Sequence, residues 1–306
     1  MTSGATTTDW ADERRQLTDR VSVLVGADNG LYPSGNSLVI EGEGEAVIID
    51  PSVTVVAKGG AHVAIDAVIN SHGHEDHVPG NGLFTEARVH IHQDDLLAAQ
   101  SLDGLMEVYG FEGQARDDFA KICLEEFSYA PRPDAEGFHD GHIWDLGGIS
   151  LEAVHLPGHT LGHSGFRISD GVFFLSDIDL TGFGPYYGDA WSSLEQFESS
   201  LHQVRDEEAN FYVTFHHKGV IEGRDTFVEM IDTFTAVIER RHQAMLEYLV
   251  EPRSINDMAA NRFVYRPHVE GTHIGDVEHR TATLHVERMV ARGEAAEVEP
   301  GLFKLS

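Results

Sequence analysis

Short apolar runs, some alternating and some continuous, recur along the first two thirds of the chain and predict a series of β-strands. Val21, Val23 and Val25 alternate with other residues, which is the period of a half-buried strand, whereas the run 46–50 is almost wholly apolar and is typical of a buried strand. The predicted strands cover 21–25, 36–41, 46–50, 64–70, 87–92, a hairpin over 142–155, 171–176 and 209–215. Helical patterns lie among them, so we expect an α/β fold.

Three parts of the chain carry helical spacing of apolar residues. The segment 94–127 is rich in helix and interrupted by glycines, and the pattern over 191–204 is typical of one amphipathic helix. From Asp225 onward a long apolar stripe continues to Pro252 and is followed by two further helical patterns and a short hairpin. We expect the 94–127 insert to form a lid or one wall of a cleft, with a plain outer-layer helix as the alternative.

Composition is that of a globular protein, with 306 residues and 41% hydrophobic positions. The apolar runs are too short to span a bilayer, and the polar, Thr-rich start of the chain lacks the apolar core of a signal peptide. Cys123 is the single cysteine, which excludes a disulfide framework and a cysteine-based metal site. We therefore expect a cytoplasmic protein with no membrane partner.

Charge is the unusual bulk property. Lysine and arginine total 21 against 51 aspartates and glutamates, a formal net charge of −30. Such a surface repels the phosphates of nucleic acids and anionic membranes, so nucleic acid is an unfavourable partner. An excess of carboxylates with few lysines also resembles proteins of salt-loving microbes, and we predict that this protein is adapted to high salt.

The strongest chemical signal is a cluster of metal-ligating side chains directly after the predicted strand 64–70. His72, His74, Asp76 and His77 lie within six residues on the loop that leaves this strand. Neutral imidazoles and carboxylates suit zinc, iron or manganese, and ligands so close in sequence can converge on one ion. The sequence therefore predicts a metal site here.

This His-x-His-x-Asp-His motif resembles the signature of the metallo-β-lactamase superfamily, and the resemblance extends over about residues 20 to 235. It implies a four-layer αβ/βα sandwich with a two-metal site at one edge of the two sheets. We therefore divide the chain into a flexible N-terminus at 1–20, a catalytic domain at 21–235 and a C-terminal module at 236–306. The helix-helix-helix-hairpin order of that module resembles a small winged helix, for which we favour a dimerisation or cleft-covering role over nucleic-acid binding.

The remaining ligands follow from the same resemblance. One metal would take His72, His74 and His159, the other would take Asp76, His77 and a histidine after the strand 209–215, and Asp177 would bridge the two ions. Strand alternation does not decide between His216 and His217, and we favour His217. Asp179 is the alternative to Asp177, and His163 is expected to support the loop.

A two-metal site implies two divalent cations, zinc by preference with iron or manganese as alternatives, and hydrolysis as the reaction. Asp76 would pass a proton to the leaving group. Tyr186 or Tyr187 would polarise a substrate carbonyl, with aromatic packing as the alternative. Asp177 and the Asp76-His77 pair resemble the glyoxalase II and lactonase branches, so we expect a small-molecule ester, thioester or lactone as substrate. A metal-dependent nuclease, a mono-iron sulfur dioxygenase and a non-enzymatic metal-binding regulator are the competing interpretations.

Overall fold

Two mixed β-sheets form the centre of the computed structural model, which describes residues 8–271 and 273–306. The first sheet has seven strands in the order β1 to β7, antiparallel up to β4 and parallel from β4 to β7. Its strands are β1 (Arg14–Gln16), β2 (Val21–Leu24), β3 (Ser37–Glu41), β4 (Ala46–Ile49), β5 (Ala67–Ile69), β6 (Arg88–His92) and β7 (Glu136–Phe138).

The second sheet has six strands in the order β13-β12-β11-β10-β9-β8, antiparallel except for the pair β11 and β12. Its strands are β8 (Ile143–Asp145), β9 (Ser150–His155), β10 (Ser164–Ile168), β11 (Val172–Ser176), β12 (Phe211–Thr214) and β13 (Val220–Glu222). The inner faces of both sheets meet in one buried core that includes Val21, Ile49, Phe166 and Phe174.

Helices cover the outer faces of both sheets, which gives the four layers expected for an αβ/βα sandwich. They are α1 (Ala27–Gly30, a single irregular turn), α2 (Val53–Lys58), α3 (Leu96–Gln100), α4 (Leu102–Tyr109), α5 (Gly113–Glu125), α6 (Leu194–Arg205), α7 (Arg224–Tyr248), α8 (Ile255–Asn261) and α9 (Ile274–Arg292). The outer face of the second sheet packs on α6 and the first half of α7 through Phe173, Phe197, Phe227 and Ile231. Two short 3₁₀ turns, Pro79–Gly82 and Gln93–Asp95, complete the helical segments.

The expected flexible N-terminus is wrong for the part that the structure describes, while residues 1–7 lie outside the described residues. Trp10 is buried in the apolar cluster behind the first sheet, and its indole Nε1 donates to the carbonyl of Gly60 at 2.9 Å. Arg14–Gln16 then adds an edge strand beside β2. One large aromatic side chain therefore anchors a segment whose polar composition suggested fraying.

The C-terminal region consists of α7, α8 and α9 followed by the hairpin β14 (Ala295–Glu299) and β15 (Leu302–Leu305), in the predicted order. Its own apolar cluster includes Met245, Met258 and Met289. Helix α7 is continuous across residue 235, so the predicted domain division falls inside a helix that packs on the sheet with its first half and on α8 and α9 with its second. The comparison of this region with a winged helix stays a prediction. No helix in the described chain is both long and apolar enough to cross a membrane.

Candidate metal centre

Strand ends from both sheets deliver the candidate ligands to one edge of the sandwich. The loop with His72, His74, Asp76 and His77 follows β5 of the first sheet, while Asp177 follows β11 and His216 lies two residues beyond β12 in the second. His159 lies on the loop between β9 and β10. That loop needs glycine at 158, where φ is +124° and an added Cβ would clash with the backbone of Phe197.

The side chains form two adjacent groups with metal-ligand spacing. His72, His74, His159 and Asp177 make one group, and Asp76, His77 and His216 make the other, with ligand atoms in each group within 4.8 Å of one another. Asp177 faces both groups. Its Oδ2 lies 3.2 Å from His159 Nε2, and its Oδ1 lies 3.0 Å from His77 Nε2.

Three histidines are anchored through Nδ1, which leaves Nε2 directed into the site. Nδ1 of His77 lies 2.9 Å from Asp50 Oδ2, that of His159 lies 2.9 Å from the Tyr186 carbonyl, and that of His216 lies 2.9 Å from the Gly30 carbonyl. These acceptors place the proton on Nδ1 and leave a lone pair on Nε2, which is the form that ligates metals.

Several buried polar atoms of the site also lack a hydrogen bond, although some lie 3.0 to 3.1 Å from one another, because a neutral imidazole Nε2 and a carboxylate oxygen both accept. They are Nε2 of His72, His74 and His77, Oδ1 of Asp177 and Oδ2 of Asp189. Buried polar groups are normally satisfied, and a concentration of unsatisfied ones on facing side chains needs a ligand. Divalent cations would satisfy the imidazole lone pairs and the carboxylates together, so the residues present fit metal binding.

The electrostatics of the site point in the same direction. Burial would raise the pKa of Asp177, but this carboxyl needs positive charge beside it: without a cation, protonated His77 and His216 would supply that charge and hold its pKa well below its usual value. Burial holds the pKa of His72 well below its usual value, and His77 and His74 act in the same sense. The clustered acids therefore require positive charge beside them, which bound cations supply.

The structure corrects the preferred last histidine. His216, not His217, is the one that lies beside Asp76, with 2.8 Å between His216 Nε2 and Asp76 Oδ2. His217 has φ of +59°, because the chain turns sharply after β12, and its side chain is half-buried at the cavity wall outside both groups. The regular alternation of the strand has ended by this point, so it could not indicate which side chain points inward.

The two adjacent tyrosines that follow β11 have different surroundings. Tyr186 lines the cavity above the site, and its hydroxyl donates to Asp189 Oδ1 at 2.9 Å. Tyr187 is buried and its hydroxyl lies 3.0 Å from His285 Nε2 on α9, so it faces the C-terminal region and does not line the cavity. The proposed substrate contact of Tyr187 is therefore wrong, because that side chain points away from the cleft.

The other histidines and the alternative carboxylate lie outside the two groups. His163 Nδ1 contacts the Leu156 carbonyl at 2.9 Å, and its Nε2 accepts from the backbone of Asp177 at 3.4 Å, which is a supporting position. Asp179 lines the cavity and accepts from Thr181. His90 packs against Trp144, and His92 stacks on His155 at a ring distance of 4.0 Å, away from the site.

Three buried aspartates that the sequence did not single out support the centre. Asp95 accepts from the backbone of Gly73 and Gly162 and from the hydroxyl of Thr160, so it ties the two ligand loops together. Asp50 accepts from Ser71 and anchors His77. Asp189 Oδ2 lies 3.1 Å from His74 Nε2. In the sequence, only its position at the end of a predicted strand drew attention to Asp50, and no pattern indicated Asp95 or Asp189.

A cavity of about 640 Å³ opens over the ligand groups. Its walls include Tyr109, Phe111 and Phe119 from the 94–127 insert, together with Tyr265 from the C-terminal region. The insert therefore does form one wall of the cleft. Cavities of this size accommodate small organic molecules.

Comparison with known families identifies the fold. A sequence model described as the metallo-beta-lactamase superfamily matches residues 32–232. A metallo-beta-lactamase family protein from Thermus thermophilus superposes with a TM-score of 0.71 at 18% identity, covering 95% of this chain and all of that one. A beta-lactamase domain protein from Burkholderia ambifaria superposes with a TM-score of 0.69 at 16% identity, covering 98% and 97%. At these identities the likeness shows the fold alone.

Alignments with sequence relatives cover smaller shares of this chain than the two structural superpositions do. An uncharacterised protein of Mycobacterium tuberculosis is 28% identical over 171 residues, which are 52% of this chain and 71% of the relative. A hydroxyacylglutathione hydrolase of Prochlorococcus marinus is 24% identical over 133 residues, 42% of each chain. An atrochrysone carboxyl ACP thioesterase of Pseudocercospora fijiensis is 22% identical over 258 residues, 80% of this chain and 65% of the relative.

Proposed function

The chain belongs to the metallo-beta-lactamase superfamily, and we propose that it is a dinuclear metal-dependent hydrolase of a small-molecule ester, thioester or lactone. Zinc is the metal we favour, with iron or manganese as alternatives, because a site of imidazoles and carboxylates without thiolates suits these ions. The substrate would enter through the cavity that opens over the ligand groups.

The observation that carries the proposal is the position of Asp177 between two groups of ligands. Its two carboxylate oxygens face different histidines, His159 on one side and His77 on the other, at 3.2 and 3.0 Å. A single ion would need only one of the groups. A carboxylate shared in this way is the arrangement that a pair of cations needs.

Five histidines and two aspartates would hold the metals: His72, His74, His159, Asp76, His77, His216 and the shared Asp177. When bound, two such cations supply Lewis acidity, which makes a water molecule nucleophilic near neutral pH and stabilises negative charge on an attacked carbonyl oxygen. The sandwich contributes rigidity, since the ligands follow strand ends and three of the imidazole rings are fixed by hydrogen bonds on the far side.

Asp76 is the residue we propose for proton transfer. Its carboxylate lines the cavity, with Oδ2 held 2.8 Å from His216 and Oδ1 3.7 Å from His77. It can therefore take a proton at the reacting centre and deliver it to a departing alcohol or thiol. Tyr186 lines the cavity, and its hydroxyl would donate to the substrate by exchanging the hydrogen bond that it now donates to Asp189.

Two relatives support acyl transfer as the reaction class. One is named a hydroxyacylglutathione hydrolase and the other an ACP thioesterase, and both names describe hydrolysis of a thioester. Their identities to this chain, 24% and 22%, are too low to carry over a substrate. They do favour thioesters among the substrates to be tested.

The proposal is tested by elemental analysis of protein purified in high salt, together with hydrolysis of a panel of small thioesters, esters and lactones. We expect about two metal ions per chain and turnover of at least one class. One iron per chain with oxygen uptake and no hydrolysis would replace the proposal with a dioxygenase. Cleavage of single-stranded RNA that is lost in His74→Ala, without turnover of the acyl panel, would replace it with a nuclease.

A further inference from the structure

The cavity above the metal centre has walls of a distinctive chemistry. On one side stand Tyr109, Phe111 and Phe119, which pack on one another with ring centroids 4.6 to 5.6 Å apart. Elsewhere in the lining Phe183 and Tyr265 pair at 5.5 Å. Aromatic rings offer large apolar area and flat faces with little loss of side-chain entropy, so such walls bind planar or bulky apolar groups.

The charged residues of the same cavity are all acidic. Among the described residues, no lysine or arginine lines it. Asp76 and Asp177 belong to the ligand groups, but Glu75, Asp179 and Asp189 add carboxylates to the walls. Two further histidines, His217 and His273, also line it, and histidine is largely neutral at ordinary pH. A substrate with an anionic tail would find no cation here outside the metal centre.

Two of the wall carboxylates, those of Glu75 and Asp189, also hold tyrosine side chains of the wall in place. Glu75 accepts hydrogen bonds from the hydroxyls of Tyr32 and Tyr109, and Asp189 accepts from Tyr186. These bonds turn phenol rings towards the cavity and keep their positions fixed.

A buried contact within the C-terminal region positions the part of the cavity wall that this region contributes. Glu278 on α9 is buried, and its carboxylate accepts from the backbone amides of Phe263, Val264 and Tyr265. A single carboxylate thus fixes the segment that carries Tyr265 into the cavity lining. The C-terminal region therefore has a role in shaping the cleft, and this role does not require binding of nucleic acid.

We infer that the substrate of this site is an acyl compound whose acyl group is bulky, apolar or aromatic, and uncharged, and that acyl groups with a negative charge bind more weakly. The inference rests on the proposed hydrolase function for the bond that is broken. Water attacks the acyl carbon, the bond to the leaving oxygen or sulfur breaks, and the proton carried by Asp76 goes to that leaving atom. The apolar acyl group occupies the aromatic walls.

A binding experiment separates this inference from the proposed function. The probes are 2-acetylnaphthalene, which is neutral and cannot be hydrolysed, and 6-acetylnaphthalene-2-sulfonate, which differs by one remote negative charge. Calorimetry on the metal-loaded protein should show the neutral ketone binding at least about ten-fold more tightly, because the sulfonate would be desolvated beside acidic walls. Equal or tighter binding of the sulfonate would overturn the inference.

Variants of the cavity wall test whether the neutral ketone binds in this cavity. Phe119→Ala and Tyr265→Ala should each weaken binding of the neutral ketone by about five-fold or more, since each removes one aromatic face. Leu124→Ala is the matched control, because Leu124 lies on the same helix as Phe119 but is 48% exposed and does not line the cavity. If Phe119→Ala does not fold, Phe119→Leu keeps most of the volume and removes the ring. Unchanged binding in these wall variants would also contradict the inference.

Turnover completes the design. The 4-nitrophenyl esters of 2-naphthoate and acetate are compared by kcat/KM, and the naphthoate should exceed the acetate, with the advantage reduced in Phe119→Ala and kept in Leu124→Ala. Tight binding of the neutral ketone without turnover of any ester would refute the proposed hydrolase function. The preference of the cavity for uncharged aromatic groups would still be supported. Turnover with a preference for anionic acyl groups would refute the inference alone.

Discussion

The imidazole Nε2 of His216 lies 2.8 Å from Oδ2 of Asp76, although the two residues lie on loops that follow strands of different sheets. Its neighbour His217 is turned to the rim by a left-handed backbone. We predict that His216→Asn lowers the metal content per chain and abolishes turnover, whereas His217→Asn leaves the metal content unchanged. Asparagine is suitable at both positions because it tolerates the left-handed region. Elemental analysis of the two variants decides between them, and loss of metal only in His217→Asn would reverse the assignment.

Asp177 stands between the two ligand groups, so Asp177→Asn removes the negative charge that both share. We expect loss of metal and a fall in kcat/KM greater than the roughly 100-fold that loss of a supporting hydrogen bond costs. The fold should persist, because Asp177 follows β11 and takes no part in its strand pairing. Circular dichroism with elemental analysis is the measurement. A variant that keeps both metals and full activity would move the bridging role to Asp179.

Asp95 holds the loops of His74 and His159 together through three hydrogen bonds. Asp95→Asn replaces one acceptor oxygen with a donor, which opposes a backbone amide or the hydroxyl of Thr160. We predict a metal affinity lower by about 10- to 100-fold, measured by competition with a chelator. Asp94→Asn is the control, since Asp94 is adjacent but exposed. Equal affinities in both variants would show that Asp95 does not position the ligands.

Tyr187 and Tyr186 are neighbours with different environments. Tyr187→Phe breaks a buried hydrogen bond to His285 and should lower the free energy of unfolding by about 1 kcal/mol, with KM unchanged. Tyr186→Phe alters a residue that lines the cavity and should change kcat or KM, and it should also lower the free energy of unfolding by about 1 kcal/mol, because the hydroxyl donates to the buried Asp189. Chemical denaturation and steady-state kinetics on both variants test the pair. A KM effect confined to Tyr187→Phe would restore it as a substrate contact.

The net charge of −30 predicts that stability depends on salt. Repulsion among surface carboxylates extends over about 30 Å at 0.01 M ionic strength and about 3 Å at 1 M. We therefore expect the unfolding midpoint to rise by at least about 5 °C between dilute buffer and molar KCl. Sucrose at matched osmolality controls for solvent exclusion. A midpoint that is no lower in dilute buffer would remove the case for adaptation to high salt.

The sequence by itself determined the α/β class of the fold and the location of the first ligand loop, and the resemblance of that loop to a known family implied the layered sandwich. Both are encoded locally: the strands by the period of their apolar residues, and the motif by histidines and an aspartate packed into one loop after a buried strand. Asp177 could be found in the same way, since a carboxylate at the end of an apolar strand requires positive charge nearby.

Only the tertiary structure decided which side chains complete the site. Alternation ends with the strand, so the choice between His216 and His217 depended on the turn that follows β12. Asp189 reaches His74, and Tyr187 reaches His285, across about a hundred residues of sequence in each case. No local pattern specifies such contacts, because they arise from packing one element against another. The burial of Trp10 is a further example, because its hydrogen-bond partner Gly60 lies fifty residues away in sequence.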